Sequence, residues 1–164
     1  MEQIDGTRLL ENPGVGHFKT GSTFGALSDA AVAFLLGKGR VYSLSDGDAL
    51  FRADEPATSF YVVLEGQIDY FHEFDDAEVL IRTAKFGDTT GYVSMIGLFD
   101  RIGIARSRGS SLVLEISSDL FYQMHIDYPF DFGIVMLNLT RNMARTIRAV
   151  TTQYAAACIG HPIP

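Results

Sequence analysis

Short apolar segments alternate with glycine-containing turns from Tyr42 to Arg101, and this pattern predicts a small β-barrel. The turns fall at the dipeptides Asp46-Gly47, Glu65-Gly66, Phe86-Gly87 and Thr90-Gly91. Residues 60–64 are aromatic and β-branched, which is typical of a strand. Further along, apolar residues alternate with other residues over 112–116, as in a half-buried strand. Many short strands separated by turns favour a sandwich or a barrel.

Helical patterns precede and follow these strands. A short helix is predicted from Asp29 to Leu36 with Ser28 as its N-cap, because a serine hydroxyl accepts a free amide of the first turn. A second short helix is capped at Ser117 and runs through His125. A long helix starts at Pro129 and reaches about Tyr154. Its apolar residues recur every three or four positions, which places them on one stripe: Phe132, Met136, Leu139, Met143, Ile147, Val150 and Tyr154.

These patterns divide the chain into four parts within a single domain. We expect an irregular lead-in over 1–26 and a β-barrel with short helices over 27–128. The long helix occupies 129–154, and the tail 155–164 is too short for a further domain.

Composition restricts the possible partners. The chain has 164 residues, 47% of them hydrophobic, and a formal net charge of −7. An acidic chain is poorly suited to bind nucleic acid or an anionic membrane without specific contacts. No apolar run approaches the ~20 residues of a membrane span, and the N-terminus carries no export signal. Because Cys158 is the single cysteine, no internal disulfide can form, and we expect a soluble cytoplasmic protein.

The residues that usually perform catalysis are scattered. A metal site of cupin type needs several histidines at close strand spacing, whereas His17, His72, His125 and His161 are isolated from one another. Cys158 lacks a convincing histidine partner, and no Gly-x-Ser-x-Gly elbow presents a nucleophile. We therefore expect no enzymatic activity, no metal and no cofactor.

The order and spacing of these segments resemble the cyclic nucleotide-binding domain family over roughly residues 24–154. Residues 45–51 resemble the family's turn before its second strand, and 60–68 are similar to its Tyr-Val-Leu-x-Gly-x-Val pattern. Residues 114–117 with Phe121 look like the strand and helix start that follow the family's pocket. The resemblance implies a mainly β fold with flanking helices, in which a double-stranded β-helix (jelly-roll) barrel is followed by a long C-terminal helix.

The family binds its ligand in a phosphate-binding cassette, which has a Phe-Gly-Glu start, a short helix and then an arginine followed by small residues. Gly91 and Arg101 match the glycine and the arginine of that cassette. Tyr92 stands where the family has the glutamate that accepts from the ribose hydroxyl, and Ile104 where a small hydroxyl residue is usual. The resemblance implies these ligand-binding residues: Gly91, Tyr92, Val93, Ser94, Arg101 and Ile102.

Two interpretations of this segment remain open from the sequence. Arg101 is either an anion clamp with fork geometry or a solvated arginine at the end of a loop. Gly91 either lets a ligand approach the backbone or forms a plain turn.

Our leading hypothesis is a stand-alone regulatory module of the cyclic nucleotide-binding fold that senses a small anion. The possible ligands are a cyclic nucleotide or another small anion, and we expect weak or no binding of cyclic AMP because two of its polar partners are replaced. The alternative is a dimeric protein-interaction module with a vestigial pocket.

Expected partners follow from the long helix and from the resemblance. The apolar stripe favours a homodimer through the C-terminal helix, and regulation then passes through the dimer or a protein partner. Relatives that bind DNA append a helix-turn-helix, and only residues 155–164 follow this helix, so we expect no DNA binding alone. We expect no membrane association.

Overall fold

A computed structural model describes residues 1–75 and 77–159 of the chain. The strands in this part are β1 (Glu2–Ile4), β2 (Arg40–Leu44), β3 (Ala49–Phe51), β4 (Ser59–Phe74), β5 (Ala77–Ala84), β6 (Thr89–Thr90) and β7 (Ile104–Ser117). The α-helices are α1 (Val15–Phe18), α2 (Asp29–Lys38), α3 (Tyr92–Gly97), α4 (Ser118–Asp127) and α5 (Pro129–Ile159), and a 3-10 helix spans Gly6–Leu10. None of the described helices is both long and apolar enough to cross a bilayer.

The strands form one antiparallel sheet in which β4 and β7 each pair with three other strands. Its order is β1-β2-β7-β4-β5, with β3 also paired to β7 and β6 to β4. The sheet is not closed into a complete barrel. The predicted mainly β architecture, with flanking helices and a long C-terminal helix, is confirmed.

The core has two parts because successive side chains of β4 point to opposite faces of the sheet. Phe60, Val62 and Leu64 pack with α2, α4 and α5 in the larger part. Tyr61 and Val63 pack on the other face with residues of β2, β3 and β7. The long helix is therefore attached to one face of the sheet, and the second face encloses a smaller apolar interior.

The helix starts follow the capping residues predicted from the sequence. The Ser28 hydroxyl accepts from the Ala31 amide at the start of α2, and the Ser117 hydroxyl accepts from the Leu120 amide at the start of α4. Helix α5 begins at Pro129 as predicted and extends to Ile159, beyond the predicted end at Tyr154. The rest of the predicted tail, 160–164, lies outside the described residues.

The N-terminal segment contains more regular structure than the predicted irregular lead-in. Strand β1 pairs with β2, and the 3-10 helix and α1 follow it within residues 1–26. A Cβ on Gly6 would lie 2.7 Å from both the Leu36 carbonyl oxygen and Val41 Cγ2, so only glycine permits this close packing. Such short elements depend on tertiary contacts rather than on a local repeat, which is why the sequence did not reveal them.

Three polar side chains attach α5 to the rest of the domain. The Asp131 carboxylate accepts from the backbone amide (2.6 Å) and the hydroxyl (2.9 Å) of Ser28. Asn138 donates to the carbonyls of Thr23 and Gly25. Asn142, which is buried, donates to the Thr89 hydroxyl at 3.0 Å. These contacts fix the first half of α5 against the N-terminal segment and strand β6.

The predicted turn at Glu65-Gly66 is wrong, because both flanking segments belong to the continuous strand β4. The register with β7 shifts on either side of Glu65, so the dipeptide forms a β-bulge. Gly66 has φ +78°, and a Cβ there would lie 2.4 Å from the Ser110 carbonyl oxygen. The glycine thus indicated a turn in the sequence, but because both flanking segments pair with β7, the structure forms a bulge.

We expect Gly66→Ala to lower the free energy of unfolding by roughly 2 kcal/mol or more, because the left-handed backbone costs about 1–2 kcal/mol and the clash adds to it. Gly109→Ala is the matched control, since Gly109 has φ +71° but open space around its Cβ position. Urea denaturation of both variants measures the difference. Equal destabilisation of the two would show that the contact with Ser110 has no effect.

Candidate ligand-binding site

A cavity of about 160 Å³ lies beside the short helix α3. One wall comes from the sheet and consists of Phe51, Tyr70, Ile81, Arg82 and Ala84. The segment 89–94, which contains β6 and the start of α3, forms a further part of the lining. Ile102 and Thr146 complete the lining, so the loop before β7 and the long helix α5 both reach the cavity. The lining is largely apolar, with hydroxyl groups and one guanidinium as its polar elements.

Gly91 forms the turn into α3 and has a left-handed backbone with φ +83°. A Cβ on this residue would lie 2.6 Å from Arg101 Nη1 and 3.1 Å from the Phe51 ring. The group that approaches Gly91 is therefore the arginine of the same chain. This contact explains the glycine without any bound ligand.

The Arg101 side chain is buried, with 3% of its surface exposed. Its Nη1 donates to the Gly91 carbonyl (2.6 Å) and its Nη2 to the Ser59 carbonyl (2.5 Å). The guanidinium carbon lies 4.4 Å from the centre of the Phe51 ring, within the range of a cation–π contact. The interpretation of Arg101 as a solvated loop arginine is therefore wrong.

The charge of Arg101 is incompletely compensated. No carboxylate among the described residues forms an ion pair with it, and its buried Nε has no hydrogen-bond partner there. Burial lowers the pKa of Arg101, but arginine side chains stay protonated at neutral pH, so the charge remains. Arg101 lies behind Gly91 and Phe51 and is not one of the residues that line the cavity. Its role as a direct anion clamp stays a prediction.

Tyr92 lines the cavity, although its side chain is part of the larger core, together with Met95. It is 3% exposed, and burial raises the pKa of its hydroxyl. The nearby positive charge of Arg82 opposes that shift. The position that holds the ribose glutamate in the family therefore carries a packed aromatic ring here.

The other predicted site residues also lie at the cavity. Ser94 is buried in α3, whereas Val93 and Ile102 are more exposed, and all three line the cavity. Five of the six predicted residues thus share this lining, and Arg101 supports it from behind. Ile104, which replaces the family's small hydroxyl residue, is buried at the start of β7.

The sequence did not reveal that Arg82 and Thr146 contribute to the cavity. Arg82 belongs to β5, just outside the predicted cassette, and Thr146 belongs to α5, far beyond it in the chain. One signal was available: Asp131, Asn138 and Asn142 recur at helical spacing and mark the α5 face that is attached to the sheet.

The residues considered for catalysis lie apart in the structure. No three histidine, cysteine, aspartate or glutamate side chains within 1–75 and 77–159 come together as metal ligands would. His72 contacts the Ile102 carbonyl through Nδ1 at 2.6 Å, and Cys158 is a free thiol near the end of α5. His161 lies outside the described residues.

The model of the cyclic nucleotide-binding domain matches residues 41–128, which is more than half of the chain. The chain belongs to this family. Its fold is that of a regulatory ligand-binding module, as the sequence resemblance implied.

Solved structures with the same fold include bacterial proteins. A cyclic nucleotide-binding domain of Methylobacillus flagellatus superposes with a TM-score of 0.83 at 17% identity and covers 99% of this chain and 92% of its own. The catabolite activator protein of Thermus thermophilus reaches a TM-score of 0.70 at 18% identity over 83% of this chain and 62% of its own. Both show the fold alone.

A curated relative is the lysophospholipase NTE1 of Mycosarcoma maydis, which is 24% identical over 120 residues. The match covers 72% of this chain, and the chain spans only 6% of the length of that protein. This similarity does not assign a catalytic activity to the present chain.

We expect Arg101→Ala to lower the free energy of unfolding by about 2 kcal/mol or more, because the carbonyls of Gly91 and Ser59 both lose their donor. Arg148→Ala, on the exposed part of α5, is the control and should change stability by no more than about 0.5 kcal/mol. Chemical denaturation followed by circular dichroism measures both. An Arg101→Ala variant as stable as the control would contradict the structural role of the buried guanidinium.

Proposed function

We propose that the chain is a non-catalytic regulatory module that binds a small anion other than cyclic AMP in the cavity beside α3. The observation that carries this proposal is the composition of the cavity wall. Among the described residues, the lining includes the guanidinium of Arg82 and no carboxylate, and the incompletely compensated charge of Arg101 lies directly behind Gly91. Because the ion contact of Arg82 with Asp88 is long, at 3.7 Å, this wall keeps a positive potential, which favours an anion.

The same lining disfavours a cyclic nucleotide. The ribose hydroxyl would need an acceptor where Tyr92 stands, and no lining residue in the described part of the chain supplies a carboxylate in its place. A charge-assisted hydrogen bond contributes about 1.5–3 kcal/mol, so its loss weakens binding by roughly ten- to a hundred-fold. Ile104 also lacks the hydroxyl that would donate to a phosphate oxygen.

The position of the cavity gives a physical route from ligand to output. Thr146 of α5 lines it, and one turn earlier Asn142 is bonded to Thr89 of β6. A ligand that contacts both the sheet wall and α5 stabilises one position of the helix over another, provided that its affinity for the two differs. We therefore propose α5 as the element that transmits the signal.

Cyclic AMP should bind with a dissociation constant weaker than about 100 μM, given the missing polar partners. Isothermal titration calorimetry at neutral pH measures this directly. A thermal-shift screen of sugar phosphates, inorganic phosphate and carboxylates serves as the comparison, because selective binding to the native state raises its melting temperature. Micromolar or tighter binding of cyclic AMP would overturn the proposal.

A second candidate function, a dimeric interaction module, is favoured by the free half of α5. Ile147 and Tyr154 are about 60% exposed in the single chain, and Val150 is 46% exposed. By contrast, Leu139 of the same apolar stripe is buried against the domain. An apolar helix face without a partner supports a homodimer built on α5 or docking of a protein partner.

We expect Ile147→Glu to weaken the self-association of the chain at least ten-fold, because it places a charge in the exposed half of the apolar stripe. Met143→Glu should weaken association too, but Met143 also packs against the core, so stability would fall as well. Thr152→Glu on the opposite side of α5 is the matched control. Analytical ultracentrifugation that finds wild type monomeric at micromolar concentration would count against the dimer.

The type of partner and the compartment are proposed from the composition of the sequence. The net charge of −7 favours a protein partner over DNA for this domain by itself. We propose a reducing compartment such as the cytoplasm, since Cys158 is the single cysteine of the sequence.

A further inference from the structure

Two cavities meet in a groove between strand β5 and helix α5. The first is the apolar cavity of about 160 Å³ beside α3, and the second, of about 230 Å³, lies further along α5. Ile81, Arg82 and Thr146 line both, so the two are adjacent. Arg145 and the amide side chain of Asn142 contribute to the second cavity only. The groove therefore changes from apolar at one end to polar and cationic at the other.

The cationic end has unused hydrogen-bond donors. Arg82 is three-quarters buried, and its ion contact in the described part of the chain is a long one of 3.7 Å to Asp88. Asp88 is already engaged, since it accepts from the Lys85 amide and the Ser22 hydroxyl. Neither Arg82 nor Arg145 donates a hydrogen bond to a described residue. Other arginines, by contrast, donate to described residues: Arg101, Arg106, Arg108 and Arg141.

Acidic residues are absent from the described lining of both cavities. The sequence contains 20 aspartates and glutamates against 13 lysines and arginines, yet the groove carries two arginines and no carboxylate. In a chain with net charge −7, a groove lined by arginines offers an anion attraction that the acidic chain as a whole does not.

The apolar end has the size of a single ring. An apolar cavity of about 150 Å³ is known to admit benzene. The cavity here is of that size, and the aromatic rings of Phe51, Tyr70 and Tyr92 lie in its wall. Ring–ring contacts in offset or edge-on geometry favour an aromatic occupant over a flexible chain.

We propose that the groove binds an amphiphilic anion, with an aromatic ring in the apolar cavity and a carboxylate or phosphate between Arg82 and Arg145. The proposal rests on the proposed function, which assigns an anion to this region, and adds the chemical class of the ligand and the residues that bind it. The anionic group accepts from the free guanidinium donors, while the ring replaces water in the apolar cavity.

The probe for this proposal is phenylpropanoate, which joins one ring to a carboxylate through two carbons. Phenylpropanamide has the same shape without the charge, and propanoate has the charge without the ring. We expect phenylpropanoate to bind with a millimolar or tighter dissociation constant, and each comparison compound to bind at least ten-fold more weakly. Titration of the full chain followed by amide chemical shifts measures affinity, and shifts that cluster on the lining residues, including Thr90, Ser94, Thr146 and Arg145, locate the ligand.

Three arginine variants test the residues. Arg82→Gln and Arg145→Gln should each weaken phenylpropanoate binding at least ten-fold, whereas Arg148→Gln, which lies outside both linings, should leave it unchanged. Arg145 lies on an exposed part of α5, so its variant remains informative even if Arg82→Gln fails to fold.

The outcomes separate this inference from the proposed function. Three outcomes would overturn the proposal that the groove binds an amphiphilic anion: no binding of phenylpropanoate, equal binding of phenylpropanamide, or binding that is insensitive to Arg145→Gln. If inorganic phosphate or a sugar phosphate still binds beside α3 in that case, the proposed anion sensor stands. If no anion other than cyclic AMP binds, and cyclic AMP binds at micromolar concentration, both fail.

Discussion

The antiparallel pairing of β4 with β7 is the constraint on which the other elements of the domain depend. It runs from Ser59 opposite Ser117 to Phe71 opposite Ile104, with a bulge at Gly66. The segment between the two strands carries β5, β6 and α3, and it returns over the sheet because β5 and β6 both pair with β4. The same pairing alternates β4 side chains between the two parts of the core. The cavity lies where this returning segment meets the sheet.

A buried arginine links the fold to the cavity. Arg101 donates to two backbone carbonyls, at Gly91 and Ser59, and lies on the Phe51 ring instead of pairing with a carboxylate. An unpaired buried charge is costly, so its donors must be used, and this requirement fixes the turn into α3. In the family resemblance this residue is the ligand's partner, whereas here its hydrogen bonds hold the cavity wall in place. Its Nε has no hydrogen-bond partner among the described residues, and the guanidinium places a positive charge behind that wall.

Helix α5 combines two surfaces with different roles. Asp131, Asn138 and Asn142 attach its first half to the domain through buried or half-buried hydrogen bonds. The second half exposes apolar residues and also contributes the cationic end of the groove through Arg145. The proposed ligand groove and the proposed interaction face therefore lie on neighbouring parts of one helix.

The sequence alone determined the features that local chemistry decides. Ser28 and Ser117 cap helices and Pro129 starts α5, because each acts on amides or torsions within a few residues of itself. The alternation in 112–116 likewise specified a strand. The order of these segments was enough to identify the family and five of the six predicted residues at the cavity.

Tertiary structure decided the features that join distant parts of the chain. Gly66 forms a bulge because β7 pairs with both flanking segments, and no local signal distinguishes that from a turn. Arg101 points behind the cavity because carbonyls 10 and 42 residues away accept its hydrogen bonds. Arg82 and Arg145 come to one groove only when α5 lies against β5. Local patterns fix backbone conformation, whereas the direction of a side chain and the residues that it contacts depend on packing between elements far apart in sequence.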